Sequence, residues 1–314
     1  MDITKYLMYK IEYLTTSDTQ IATYTWEPEG KPRSIILILH GQAEHAGRYT
    51  DFAQFLSSKG HLVKAHDHRG HGKTSPPEQH GHFADQKGWQ RCIEDIQVHQ
   101  QHIQQKHNQL PFILFGQGMG SFMTQEYMIQ HSNKLAGAIL SGTNGKPGFA
   151  THIVRFISHL ERIRLGKNGR SAIVERIING EFNKLFQPVN TPASWRCGDQ
   201  ESQQKFVEDP MCGFLCSPQL WLDLFDGIQK ATSPRRQKNI QKEMPIFVIG
   251  GAQDPVGMQT GGVKKLLHQY RMLEMLNVTY TVFPNCRHET LHEQTKAEVY
   301  KAVSIFIDGI IKTP

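Results

Sequence analysis

Phe112-Ile113-Leu114-Phe115-Gly116-Gln117-Gly118-Met119-Gly120-Ser121 decides the fold of this chain. Four apolar residues run into three alternating glycines, and a stretch with helical spacing, Ser121 to Gln130, follows at once. A buried strand that turns sharply into a helix is the form of a nucleophile elbow, whose pattern is Gly-x-Ser-x-Gly. Both outer glycines, Gly116 and Gly120, are present, as a turn with little room for side chains requires. The centre holds Gly118 where the hydroxyl belongs, so Gly118 marks a nucleophile position from which the serine is lost. The same glycines also fit a plain glycine-rich turn of an α/β protein. A Walker-type phosphate loop fits poorly, because it needs Lys followed by Ser or Thr and neither follows here.

Outward from this turn, short apolar runs at Ile35 to Leu39, Leu62 to Ala65 and Ala138 to Leu140 read as buried strands. Between them, Tyr49 to Ser58 and Trp89 to His107 have helical spacing. Such alternation predicts an α/β fold with a mostly parallel sheet covered by helices on both faces. The rhythm resumes with strands at Ile246 to Ile249 and Val278 to Phe283 and helices at Val263 to Leu276 and Thr295 to Ile311. From about Gly145 to Thr232 it breaks: Phe149, Ile153, Phe156, Ile157, Leu160 and Ile163 are helically spaced without strand alternation. The expected organisation is a core of residues 1–144 and 233–314 with a helical cap, 145–232, inserted in it. Periodicity alone leaves open that these helices belong to the main core. Gln20 to Trp26 alternates and is expected to pair with another strand ahead of the parallel ones.

Two further residues fall where a Ser, Asp, His order would put them. Asp254 follows the strand Ile246 to Ile249 through Gly250-Gly251-Ala252-Gln253, and His288 follows the strand ending at Phe283 through Pro284-Asn285-Cys286-Arg287. Both lie in loops at the carboxyl edge of the sheet, where α/β sites assemble. A lone Asp or His in a loop is more often structural, but two in this order behind an elbow-shaped turn point to a site. The first strong strand leads into His40-Gly41-Gln42-Ala43-Glu44-His45, and the amides of Gln42 and Met119 are candidates for an oxyanion hole.

Composition narrows the classes. With 314 residues, 38% hydrophobic and 20% charged, the chain reads as a folded globular protein rather than a disordered, collagenous or coiled-coil one. The formal net charge of +6 is spread out, and the densest basic patch, Arg235-Arg236-Gln237-Lys238, reads as a solvated loop and not a nucleic-acid footprint. Five cysteines without paired spacing indicate neither a disulfide framework nor a zinc site, so no metal and no cofactor are expected, and a reducing cytoplasm fits. Met1-Asp2-Ile3-Thr4-Lys5-Tyr6 lacks the pattern of a signal peptide, and no apolar run approaches the roughly 18 residues of a spanning helix. Membrane contact is expected to be peripheral at most, and oligomeric state is open.

The chain resembles the monoacylglycerol lipases and the bacterial lysophospholipase-like and serine aminopeptidase-like α/β hydrolases. The matching stretches are His40 to His45 with Arg48-Tyr49, Asp67-His68-Arg69-Gly70-His71-Gly72, Gly81-His82-Phe83-Ala84-Asp85, the turn at 116–120, Asp254-Pro255-Val256 and Arg287-His288-Glu289. Asp209-Pro210-Met211-Cys212-Gly213-Phe214 is similar to a cap segment of bacterial members. The resemblance implies an α/β-hydrolase core with a helical cap, Asp254 and His288 as triad members, Gln42 and Met119 as oxyanion donors, and a small acyl-containing or lipid ligand. The departure is Gln117-Gly118 where the family usually has His-Ser. Ser121 lies three residues on, about 4.5 Å along the following helix, and does not replace the missing hydroxyl. Loss of a triad serine costs about 10⁶ in turnover, roughly 8 kcal/mol of barrier.

Three functions therefore compete. The first is a catalytically silent hydrolase that keeps an acyl pocket, by natural divergence or by deliberate removal of the serine; the paired change at 117 and 118 favours divergence. The second is a cofactor-free, lyase-type enzyme in which His288, oriented by Asp254, acts as general base. The third is a binding or scaffold protein. Apolar residues from Phe149 to Leu165 and at Trp221-Leu222 are compatible with an acyl chain, although such residues more often simply pack.

Overall fold

The computed structural model describes residues 9–148 and 150–312; Phe149 and the amino-terminal Met1 to Tyr6 lie outside them. The elements run β1 (Lys10–Thr15), β2 (Gln20–Trp26), β3 (Ser34–Leu39), α1 (Thr50–Ser58), β4 (His61–His66), α2 (Gly88–Lys106), β5 (Phe112–Gln117), α3 (Met119–His131) and β6 (Gly137–Ser141). There follow α4 (Ala150–Leu165), α5 (Ala172–Asn183), α6 (Gln200–Glu208), α7 (Pro218–Ala231) and α8 (Pro234–Gln237). The chain closes with β7 (Ile246–Gly251), α9 (Gly261–Met272), β8 (Val278–Phe283) and α10 (Lys296–Lys312).

One eight-stranded sheet in the order β1-β2-β4-β3-β5-β6-β7-β8 organises the molecule. The strand expected beside Gln20 to Trp26 is β1, which pairs with β2 antiparallel; β2 also meets β4 antiparallel, and all later pairs are parallel. Every residue of β3 is buried because its side chains alternate between two covered faces. Ile35, Leu37 and Leu39 join one core with α2, α3 and α9, while Ile36 and Ile38 join the other with α1 and α10. The chain turns outward from β3 to β4 and then crosses back to β5. That reversal is a topological switch point, and it opens a crevice at the carboxyl ends of β3 and β5.

Between β6 and β7 no described residue is in a strand. Serine and aspartate caps start the helices here: Ser171 accepts from the Val174 amide, Asp199 from Ser202 and Ser217 from Leu220, with Pro218 in the first turn. Leu220, Trp221 and Leu224 of α7 belong to the same apolar cluster as the sheet face under α3, so this helix packs into the main core. The basic patch is not the solvated loop that its composition predicts. Pro234–Gln237 is a helical turn, Gln237 is buried, and Arg236 pairs with Glu126, whose carboxylate is almost wholly buried.

Candidate active site

Gly118 sits between β5 and α3 with φ +52° and ψ −115°. This is left-handed territory that costs a residue with a side chain strain, and glycine adopts it freely. Gly120 has a different reason to be small, since a Cβ there would collide with the carbonyls of Leu39 and His40 as α3 passes the end of β3. A Cβ on Gly118 would point at His288, 2.8 Å from Nε2. The turn has the shape of an elbow and aims its central residue at the histidine.

His288 Nδ1 lies 3.0 Å from Asp254 Oδ1, which also accepts the Val256 amide at 2.8 Å. Since a carboxylate only accepts, Nδ1 carries a hydrogen, Nε2 is the nitrogen nearest the Cβ position of residue 118, and in the neutral ring Nε2 holds the lone pair. Both residues are buried, His288 with 5% of its surface exposed. The Gln253 amide donates to the Cys286 carbonyl, tying the Asp and His loops together. The Trp195 ring lies 5.1 Å from the imidazole, and Gln117 Nε2 donates to the His288 carbonyl at 3.0 Å. Neither contact has a signature in the sequence.

Gln42 follows β3 as Gly118 follows β5, and these strands are paired, with Leu39 opposite Gly116. Among the described residues neither the Gln42 nor the Met119 amide finds an acceptor, and both residues line the same pocket as Gly118 and His288. The loop is held from below: His40 Nε2 accepts the His68 amide, His71 Nε2 the Ala43 amide, and Asp67 those of Ala46 and Lys73. The Asp67 to Gly72 stretch therefore supports the site without entering it.

Beside His288, Glu289 binds Arg48 at 2.7 Å and Arg196 at 2.9 Å, and Arg48 also pairs with Glu44. Burial pushes the Glu289 carboxyl up, but the two guanidinium groups outweigh it and hold it well below the usual range. Arg196 reaches in from the helical segment, donates to the Gln42 carbonyl at 3.2 Å, and accepts the Glu289 amide on its own carbonyl. One side chain thus joins that segment to the loops of Gln42 and His288. Sequence reasoning missed it because its partners lie 154 and 93 positions away.

Phe122, Val154, Phe182, Trp221, Leu224 and Phe225 help to line a pocket of about 300 Å³ whose floor is Gly118, Met119 and His288. A separate trio, His45, Asp209 and Cys212, brings three ligand-type atoms together. It is satisfied internally: the Gly47 amide donates to His45 Nδ1, so Nε2 bears the hydrogen that binds Asp209 at 2.9 Å. Burial raises the Cys212 thiol, keeping it protonated.

Residues 30–295 match the family described as Serine aminopeptidase, S33. A monoacylglycerol lipase of Mycolicibacterium smegmatis is 31% identical over 288 residues, 90% of this chain and 90% of its own length. The monoglyceride lipase homolog of Monkeypox virus is 31% identical over 290 residues, 91% and 94% of the two chains. A thermostable carboxyl esterase from Bacillus coagulans, solved in complex with glycerol, superposes with a TM-score of 0.88 at 25% identity, covering 97% of this chain and 99% of its own. With its mostly parallel eight-stranded sheet and this span of similarity, the chain belongs to the serine aminopeptidase S33 family of α/β hydrolases, among relatives that include monoacylglycerol lipases.

Proposed function

We propose that this chain is a monoacylglycerol-lipase-like hydrolase that has lost its nucleophile and holds an acyl-containing ligand without turning it over. The observation that carries this reading is the direction of the missing side chain. An intact His288 and Asp254 pair faces residue 118, and residue 118 is glycine. The apolar pocket behind it supports an acyl ligand, and α4 and Arg196 support the helices inserted between residues 145 and 232 as a cap over it, with α7 as the helix that roots the cap in the core. Five buried, unpaired cysteines fit a reducing cytoplasm. An exposed apolar stripe on α4 fits peripheral contact with lipid.

The test is direct. The protein should hydrolyse p-nitrophenyl acyl esters negligibly, and a fluorophosphonate probe should fail to label it. Stoichiometric labelling of any serine overturns the reading. One observation favours a second role: His288 Nε2 presents its lone pair to the pocket with no partner among the described residues, as a general base on a substrate proton would. Turnover of a non-ester substrate, abolished by His288→Ala, would identify that chemistry.

A further inference from the structure

We propose that the space vacated at residue 118 is a head-group site for the carboxylate of a free fatty acid, so that the ligand held is an acid and not an ester. The inference rests on the acyl-pocket reading above and adds the chemistry of the head group.

Two independent observations meet at this point. The first is the amino-terminal end of α3, a helix of 13 residues, where Met119 lines the same pocket as Gln42 and neither amide is accepted by any described residue. Free amides and the helix dipole at that end favour an anion. The second is His288, 95% buried, whose Nε2 has no partner among the described residues and aims at the same spot. A carboxylate has two acceptor oxygens. One would take both amides and the other Nε2–H, leaving no donor unmatched. An ester offers one good acceptor and leaves His288 unpaired. With a serine present, its hydroxyl would occupy Nε2 and fill the space of the second oxygen. Removing the serine therefore turns a place that an acid product leaves into one that an acid can keep.

Nδ1–H is already committed to Asp254, so the bound carboxylate requires a second proton on the imidazole, and binding takes up one proton. The charged groups around the ring are Asp254, and Glu289 and Glu44 with their partners Arg48 and Arg196. The two glutamates and two arginines cancel, and imidazolium cancels Asp254. Glu181, which also lines the pocket, pairs with Lys184, so the ligand's negative charge faces the helix end and the two amides. The tail lies along Phe122, Trp221, Leu224 and Phe225.

Titration calorimetry of the whole chain with decanoate, methyl decanoate and decan-1-ol tests this. Decanoate should bind at least tenfold more tightly than the other two. Its heat should vary with the ionisation enthalpy of the buffer in the sense of proton uptake. Across the acid series affinity should rise about fourfold per methylene and level off once the tail outgrows the pocket. His288→Gln, checked for folding by circular dichroism, should bring decanoate down to the affinity of the ester. If ester and acid bind equally, or the ester binds more tightly, the carboxylate site is refuted while the acyl pocket stands. If none of the three binds, both fall.

Discussion

Position 118 couples conformation to chemistry. A serine there must adopt φ near +52°, at a cost of about 1–3 kcal/mol, and its Cβ would lie 2.8 Å from His288 Nε2, closer than van der Waals contact allows. The imidazole has to retreat by a few tenths of an ångström, within the tether that Gln117 places on its carbonyl. Gly118→Ser, alone or with Gln117→His, should therefore fold with lowered stability and gain esterase activity of at least about 10³ over the present chain. A further His288→Ala should remove nearly all of that gain. Steady-state assays with monoacylglycerols, lysophospholipids, simple esters and aminoacyl amides check this. A folded Gly118→Ser protein inert to all four would mean that a hydroxyl at 118 is not all that separates this site from a working one.

Among the elements, α4 has apolar residues on more than one side. Thr151 and Val154 line the pocket, whereas Ile153, Phe156, Leu160 and Ile163 are exposed, 51%, 62%, 48% and 73% respectively. Their spacing of three, seven and ten residues from Ile153 puts these four on one stripe. The exposed charged side chains of α4, Arg155 and Arg164, are basic, paired with Asp226 and with the buried Glu161. An apolar stripe with basic neighbours fits the surface of an anionic bilayer. The chain should co-sediment with phosphatidylglycerol vesicles more than with phosphatidylcholine ones, and Phe156→Ser with Ile163→Ser should weaken this at least tenfold, since each buried side chain is worth about 1.5–3 kcal/mol. Equal sedimentation of the double variant would remove the stripe from the account.

For the whole molecule, the histidines set the acid limit. His40, His66, His68, His71 and His99 are buried around the loops beneath the site, and burial pushes all five down, His71 to about 4 and His99 to about 3. An unfolded histidine takes up its proton near pH 6.5, so below that pH the unfolded chain binds more protons than the folded one. The stability these rings confer is complete above pH 6.5 and declines as pH falls toward their folded values, by up to about 1.4 kcal/mol per pH unit for each ring. Thermal unfolding followed from pH 7.5 to 5 should show a steep fall in Tm over the lower half of that range. A flat profile would mean that these histidines are charged in the folded protein.

The sequence by itself determined the alternation of strands and helices, the elbow turn and the positions of Asp254 and His288, because each is written locally. An apolar run of strand length, a glycine where a Cβ has no room, and a polar residue in the loop after a strand are all readable within a few neighbours. It also carried the glycine at 118, since the identity of a residue is a covalent fact. Only the tertiary structure decided that Leu220, Trp221 and Leu224 pack into the main core, that the basic turn at 234–237 is anchored by Glu126, and that Arg196 binds Glu289 and the Gln42 carbonyl. These are contacts between distant segments. They depend on how helices settle against the sheet, and no local spacing encodes which arginine will meet which glutamate.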